Sequence, residues 1–190
     1  ALSFAGVTAY KELTEGRQKR AIRRAFAHYV APNVVERIVA DPERLRFGGE
    51  RRTLTVFFSD LASFTSISES LPPDAVTNLL KTYFTRVTEV IFRHNGTLNK
   101  YQGDGLLAFW GAPLAEPEHA FRACAAALDY QKEVDRLAED FHQENLPRIK
   151  ARIGISTGEM VVGNLGSEQL FDYSVSGDAV NLGSRLEGAN

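Results

Sequence analysis

Two aspartates in matching settings are the residues of this chain best placed to do chemistry. Asp60 ends the run Thr53-Leu-Thr-Val-Phe-Phe-Ser-Asp60, whose β-branched and aromatic residues predict a strand. Asp104 lies in Gly103-Asp104-Gly105, between the two short apolar runs of residues 98–111. That pattern is the local signature of a tight β-hairpin turn. If the two strands are neighbours, both carboxylates meet at one end of a sheet. Two hard oxygen donors on rigid strand ends suit Mg²⁺, with a substrate phosphate needed to complete its shell. Asp104 taken alone reads more simply as a turn residue. The second acid is what makes a metal site competitive.

The elements that must hold these acids follow from periodicity. Pro72-Pro73-Asp74 opens a long helix in which Val76, Leu79, Leu80, Tyr83, Phe84, Val87, Val90 and Ile91 keep helical spacing, and Asn95-Gly96 ends it. The hairpin comes next, then an Ala-rich helix from about Glu116 to Glu144. Alternation of Ile149, Ala151, Ile153 and Ile155 predicts a strand to Thr157, with a separate strand from Met160 to Asn164 after Gly158. Phe171 to Val175 reads as a further strand and Asp178 to Leu186 as a last helix. The order of strands and helices is the ferredoxin-like βαββαβ arrangement, an α+β fold with an antiparallel sheet and helices on one face.

Upstream, residues 14–50 read as a helical linker: a helix from Thr14 to about Tyr29, a break at Ala31-Pro32, a short helix from Val34 to Ala40 with Val34, Val35, Ile38 and Val39 on its apolar face, then a polar stretch to Arg52. The catalytic-type domain is placed at 51–190. Residues 1–13 are apolar but too few to cross a bilayer, and Arg17, Lys19, Arg20, Arg23 and Arg24 follow them. The pair reads equally as the cytoplasmic exit of a transmembrane helix and as an ordinary amphipathic helix with a charged face. A net charge of -2 gives no reason to expect a nucleic-acid partner. The single Cys124, within Ala-Cys-Ala-Ala-Ala, excludes an internal disulfide framework and is expected to be buried as a small apolar residue. A reducing, cytoplasmic setting fits.

Several motifs in one order carry a resemblance to a known family. They are Phe57-Phe-Ser-Asp60-Leu-Ala-Ser-Phe64-Thr65, Asn99-Lys100-Tyr-Gln-Gly-Asp104, Gly154-Ile-Ser-Thr-Gly158 and Val175-Ser-Gly-Asp-Ala-Val-Asn181-Leu-Gly-Ser-Arg185. Together they resemble the catalytic domain of class III nucleotidyl cyclases from about Arg51 to the end of the chain. The segment His28-Tyr-Val-Ala-Pro-Asn-Val-Val-Glu-Arg-Ile resembles the short transducer that precedes this domain in bacterial receptor-type adenylate cyclases. Because the family continues through further strands, the resemblance implies that a C-terminal part is missing after Asn190.

What the resemblance implies is an adenylate cyclase converting ATP to 3′,5′-cyclic AMP and pyrophosphate. Asp60 and Asp104, with the Leu61 carbonyl, would hold two Mg²⁺ or Mn²⁺ ions. Phe64 and Thr65 would lie beside the phosphates, where free backbone N–H groups suit anions. Lys100 would donate to purine N1 and Ser174 would accept from the adenine N6 amino group. Asn181 would orient the ribose, and Arg185 would stabilise charge on the α-phosphate. Since the family draws these groups from opposite subunits, a symmetric homodimer with composite sites is implied. An upstream sensor on the same full-length chain and a place at the cytoplasmic side of the cell membrane complete the expectation, the fragment itself being soluble.

Other readings compete. The chain could be a cyclase-like module that dimerises without turnover, against which the intact Asp60, Asp104, Asn181 and Arg185 speak; guanylate cyclase is the alternative within the enzyme class. A diguanylate cyclase would carry a more acidic hairpin than Gly103-Asp104-Gly105-Leu106.

Overall fold

A computed structural model describes Arg20, Val35, Val39, Ala40 and residues 49–166 and 171–190. The expected helix at 14–29, the apolar residues 1–13 and most of the linker therefore lie outside the described residues. Val35 and Val39 are helical and buried, as their place on an apolar face requires. No helix among the described residues is long and apolar enough to cross a membrane.

The elements are β1 (Glu50–Leu61), α1 (Phe64–Glu69), α2 (Pro73–Arg93), β2 (Thr97–Gln102), β3 (Gly105–Trp110), α3 (His119–Gln143), β4 (Ala151–Gly166), β5 (Phe171–Ser176) and α4 (Asp178–Gly188). The five strands form one sheet in the order β2-β3-β1-β4-β5, with every pairing antiparallel. This is the α+β architecture expected, and β1 sits at its centre. Side chains alternate across the sheet. Phe57 and Leu61 of β1 and Ile153 and Ile155 of β4 face α2 and α3, packing with Leu79, Tyr83, Val87, Tyr130 and Leu137. Beneath them a buried hydroxyl chain runs from Tyr83 to Tyr130 at 2.6 Å and from Tyr130 to Ser59 Oγ at 2.7 Å, satisfying polar groups that no water reaches. Leu54, Val56, Met160, Val162 and Val175 form a second cluster on the opposite face.

Three expectations need correction. Residues 149–157 and 160–164 do not make two strands: a single sixteen-residue β4 runs through Gly158, paired to β1 from Glu50↔Val162 to Leu61↔Ala151. Gly158 is not a break but a point of close approach, since a Cβ there would lie 2.8 Å from the Ala179 Cβ of α4. The helices are not all on one face. α4 lies across the face opposite α2 and α3, where a Cβ on Gly183 would meet the Val56 and Phe58 side chains. Cys124 is exposed, because α3 turns Ala123 and Ala126 to the core and the intervening positions outward.

Candidate active site

The central strand ends in Asp60 and Leu61, and the β2–β3 turn beside it carries Asp104. Register makes the meeting inevitable: β1 pairs β3 as far as Ser59↔Leu106, so the next residues of each strand share one end of the sheet. Gly105 allows the approach, since a Cβ there would lie 2.5 Å from the Ser59 carbonyl oxygen. The Leu61 backbone N–H donates to Asp60 Oδ1 at 3.0 Å and to Asp104 Oδ2 at 3.1 Å, so both carboxylates converge on one amide. Burial, followed by the hydrogen bond to Asp60, pushes the Asp104 carboxyl up to about 6. For Asp60, burial alone would raise the acid, but the hydrogen bond from Asp104 and the Arg152 guanidinium outweigh it and hold the group below its ordinary value.

Arg152 is a residue that sequence reasoning missed. It stands directly opposite Asp60 in the β1–β4 ladder, and its guanidinium donates to Asp60 Oδ2 at 2.7 Å. The same guanidinium lies 3.3 Å from Glu187 Oε1 near the end of α4. The signal was present in phase alone. Ile153 and Ile155 face the α2–α3 core, so Arg152 must face the other way, as Asp60 does opposite Leu61. Nothing short of the pairing of β1 with β4 would have joined the two.

The acids fit a hard divalent cation on their chemistry: two carboxylates meet in a half-buried setting, where burial and then the neighbouring Asp60 raise the Asp104 carboxyl. Among the described residues no group of three or more His, Cys, Asp or Glu could hold a metal.

The remaining expected residues fall into two groups. Phe64 and Thr65 open α1 three residues after Leu61; Thr65 is exposed, Phe64 is half-buried against the core, and no side chain caps the turn. Lys100 is exposed on β2 and Ser174 is half-buried on β5, strands at opposite edges of the sheet. They are nevertheless tied together through Asn99, whose Nδ2 donates to the Tyr173 carbonyl at 2.8 Å and whose Oδ1 accepts from Ser174 Oγ at 3.3 Å. Asn181 and Arg185 are both exposed on α4. Gly183 and Glu187 face the sheet, and the pair two residues away from each is turned about half a circle from them. The chain thus presents Asn181 and Arg185 outward, on the side of α4 away from its own aspartates.

Comparisons with known proteins identify the family. The family model for the adenylate and guanylate cyclase catalytic domain matches residues 49–190. Adenylate cyclase 1 of Rhizobium meliloti is 38% identical over 168 residues, covering 87% of this chain and 25% of that protein. The chain therefore spans about a quarter of that curated relative's length. Among solved structures, the adenylyl cyclase CyaB from P. aeruginosa is 34% identical with a TM-score of 0.73, over 75% of this chain and 74% of that one. The guanylyl cyclase Cya2 is 40% identical with a TM-score of 0.72, over 75% and 73%. From its converging strand-end acids to its matched length, the chain belongs to the adenylate and guanylate cyclase catalytic domain family.

Proposed function

We propose that this domain is an adenylate cyclase, converting ATP to 3′,5′-cyclic AMP and pyrophosphate at sites shared between two copies. The observation that carries this reading is the contrast in placement. Asp60 and Asp104 converge on one amide, while Asn181 and Arg185 are exposed on the side of α4 turned away from the sheet, open to a second chain.

In this reading Asp60, Asp104 and the Leu61 carbonyl hold two Mg²⁺ or Mn²⁺ ions. When bound, such ions lower the charge on the triphosphate and favour ionisation of the ribose 3′-hydroxyl. Arg152 keeps the Asp60 carboxylate charged and aimed. Phe64 and Thr65 border the phosphates at the uncapped start of α1, where backbone N–H groups face anions. The partner copy contributes the equivalents of Asn181, which orients the ribose, and Arg185, whose planar fork neutralises charge gathering on the α-phosphate. The 3′-oxygen bonds to the α-phosphorus as the bond to the β-phosphate oxygen breaks; pyrophosphate leaves and the hydroxyl proton is lost to solvent. Lys100 donates to adenine N1 and Ser174 accepts from N6, which favours ATP.

GTP is the second reading, favoured by the likeness to the guanylyl cyclase Cya2. Guanine N1 carries a proton and would face the Lys100 ammonium donor to donor, a mismatch worth at least about tenfold in selection. The test is to incubate the full-length protein with ATP or GTP and Mn²⁺ and identify the cyclic product. A kcat/KM favouring ATP by roughly tenfold or more is expected; a ratio favouring GTP would overturn the adenylate assignment.

A further inference from the structure

We infer that Asn99 is a positioning residue that sets the hydrogen-bond polarity of Ser174, turning a hydroxyl of either polarity into an acceptor that selects an amino-bearing purine edge. The inference rests on the adenylate reading above and names what makes an uncharged serine serve it.

A serine hydroxyl by itself is a poor discriminator. It can accept from the N6 amino group of adenine or, after rotating, donate to the O6 of guanine. The surroundings of Ser174 remove that freedom in three steps. The Tyr173 carbonyl can only accept, so the Asn99 group 2.8 Å away must be its NH₂. That choice fixes the amide and turns Oδ1 toward Ser174, at 3.3 Å. Oδ1 can only accept, so the Ser174 proton is committed to it. What Ser174 Oγ then offers to a bound base is lone pairs alone. An exocyclic amino group satisfies them, and a carbonyl oxygen such as guanine O6 is repelled.

Asn99 is built for this task. It is 5% exposed, so water cannot easily replace either partner. It occupies a bulge: Leu98 and Lys100 pair with the consecutive residues Ala108 and Leu107 of β3, leaving Asn99 as the extra residue of β2. A bulge frees a side chain from strict alternation and re-aims it, here across to β5 on the far edge of the sheet. The neighbouring Lys100 supplies the donor for the purine N1. One dipeptide therefore provides the donor directly and the acceptor through Ser174.

The test measures selectivity in two ways on the full-length protein. One is the kcat/KM ratio for ATP over GTP, with kcat and KM resolved. The other is the affinity ratio of 3′-deoxy-ATP over 3′-deoxy-GTP, which lack the attacking hydroxyl, by calorimetry. Asn99→Ala should lower both ratios by about fivefold or more, chiefly through better use of the guanine nucleotide. Ser174→Ala should lower them as well, and adding Asn99→Ala to it should change them little further. Ser174→Asp, an acceptor without a hydroxyl proton, should restore adenine preference in the Asn99→Ala background. Asn99→Asp keeps an acceptor for Ser174 while losing the donor to Tyr173, so it should lose thermal stability but retain the preference. Should Asn99→Ala not fold, Asn99→Ser is read in its place, since its hydroxyl offers Ser174 either polarity. Equal losses with both nucleotides, or unchanged ratios in folded Asn99→Ala or, in its place, Asn99→Ser, would overturn the role of Asn99. A guanine preference in the unmutated protein would instead overturn the adenylate reading itself, so the two failures are distinct.

Discussion

Asp104 is the residue on which the site's charge balance turns. Its carboxyl titrates near 6 because burial and Asp60 both disfavour its charge. A cation needs it ionised, so Mn²⁺ binding should weaken as the pH falls below about 6, and binding near that pH should release a proton, both measurable by calorimetry in buffers of different ionisation enthalpy. In metal-free protein the sign reverses. The raised pKa means that Asp104 contributes stability fully below its ordinary value of 3.8 and loses it as the pH rises through about 6. Asp104→Asn, which is permanently neutral, should lack that component, so the unmutated protein should lose melting temperature relative to it across this window. Turnover responds differently. Asp60→Ala and Asp104→Ala should each lower it by on the order of a thousandfold or more while the circular dichroism stays native; near-normal rates with Mg²⁺ would refute the metal assignment.

At the scale of elements, the site depends on how closely α4 sits on the sheet. A Cβ at Gly154 would collide with the Gly183 carbonyl oxygen and the Glu187 backbone nitrogen, so neither side can give way cheaply. Gly154→Ala should cost about 1–3 kcal/mol, or about 2–4 °C of melting temperature per kcal/mol for a chain of this size. It should also lower activity by shifting Asn181 and Arg185. This close seat explains what the sequence could and could not show. The helices and most strand positions were legible because apolar residues such as Leu79, Tyr83 and Val87 keep one helical face, and Ile153 and Ile155 one face of a strand. Gly158 misled because a glycine in a strand pattern signals a break as well as a close neighbour, and only the position of Ala179 distinguishes them. Asp60 and Asp104 were legible from strand-end placement. Arg152 and Asn99 were not, since one depends on a cross-strand partner ninety-two residues away and the other on a bulge joining opposite sheet edges.

On the scale of the whole molecule, the chain holds both halves of the proposed catalytic set and faces them apart. One half is the aspartate pair at the end of β1 and the β2–β3 turn. The other is the outer face of α4, where Leu182 and Leu186 are also exposed, at 50% and 44%, beside Asn181 and Arg185. An exposed apolar and cationic helix face is what a second copy would cover in a two-fold assembly. The measurement that tests this most directly is mixing two inactive variants of the full-length protein, Asp104→Ala and Arg185→Ala, and assaying cyclic AMP formation. Each mixed dimer would pair the intact aspartates of one chain with the intact arginine of the other. Random assortment of equal amounts should therefore return about a quarter of the unmutated activity. No recovery, with mixed dimers shown to form, would mean that the acids and the arginine serve the same chain, and would contradict the shared site.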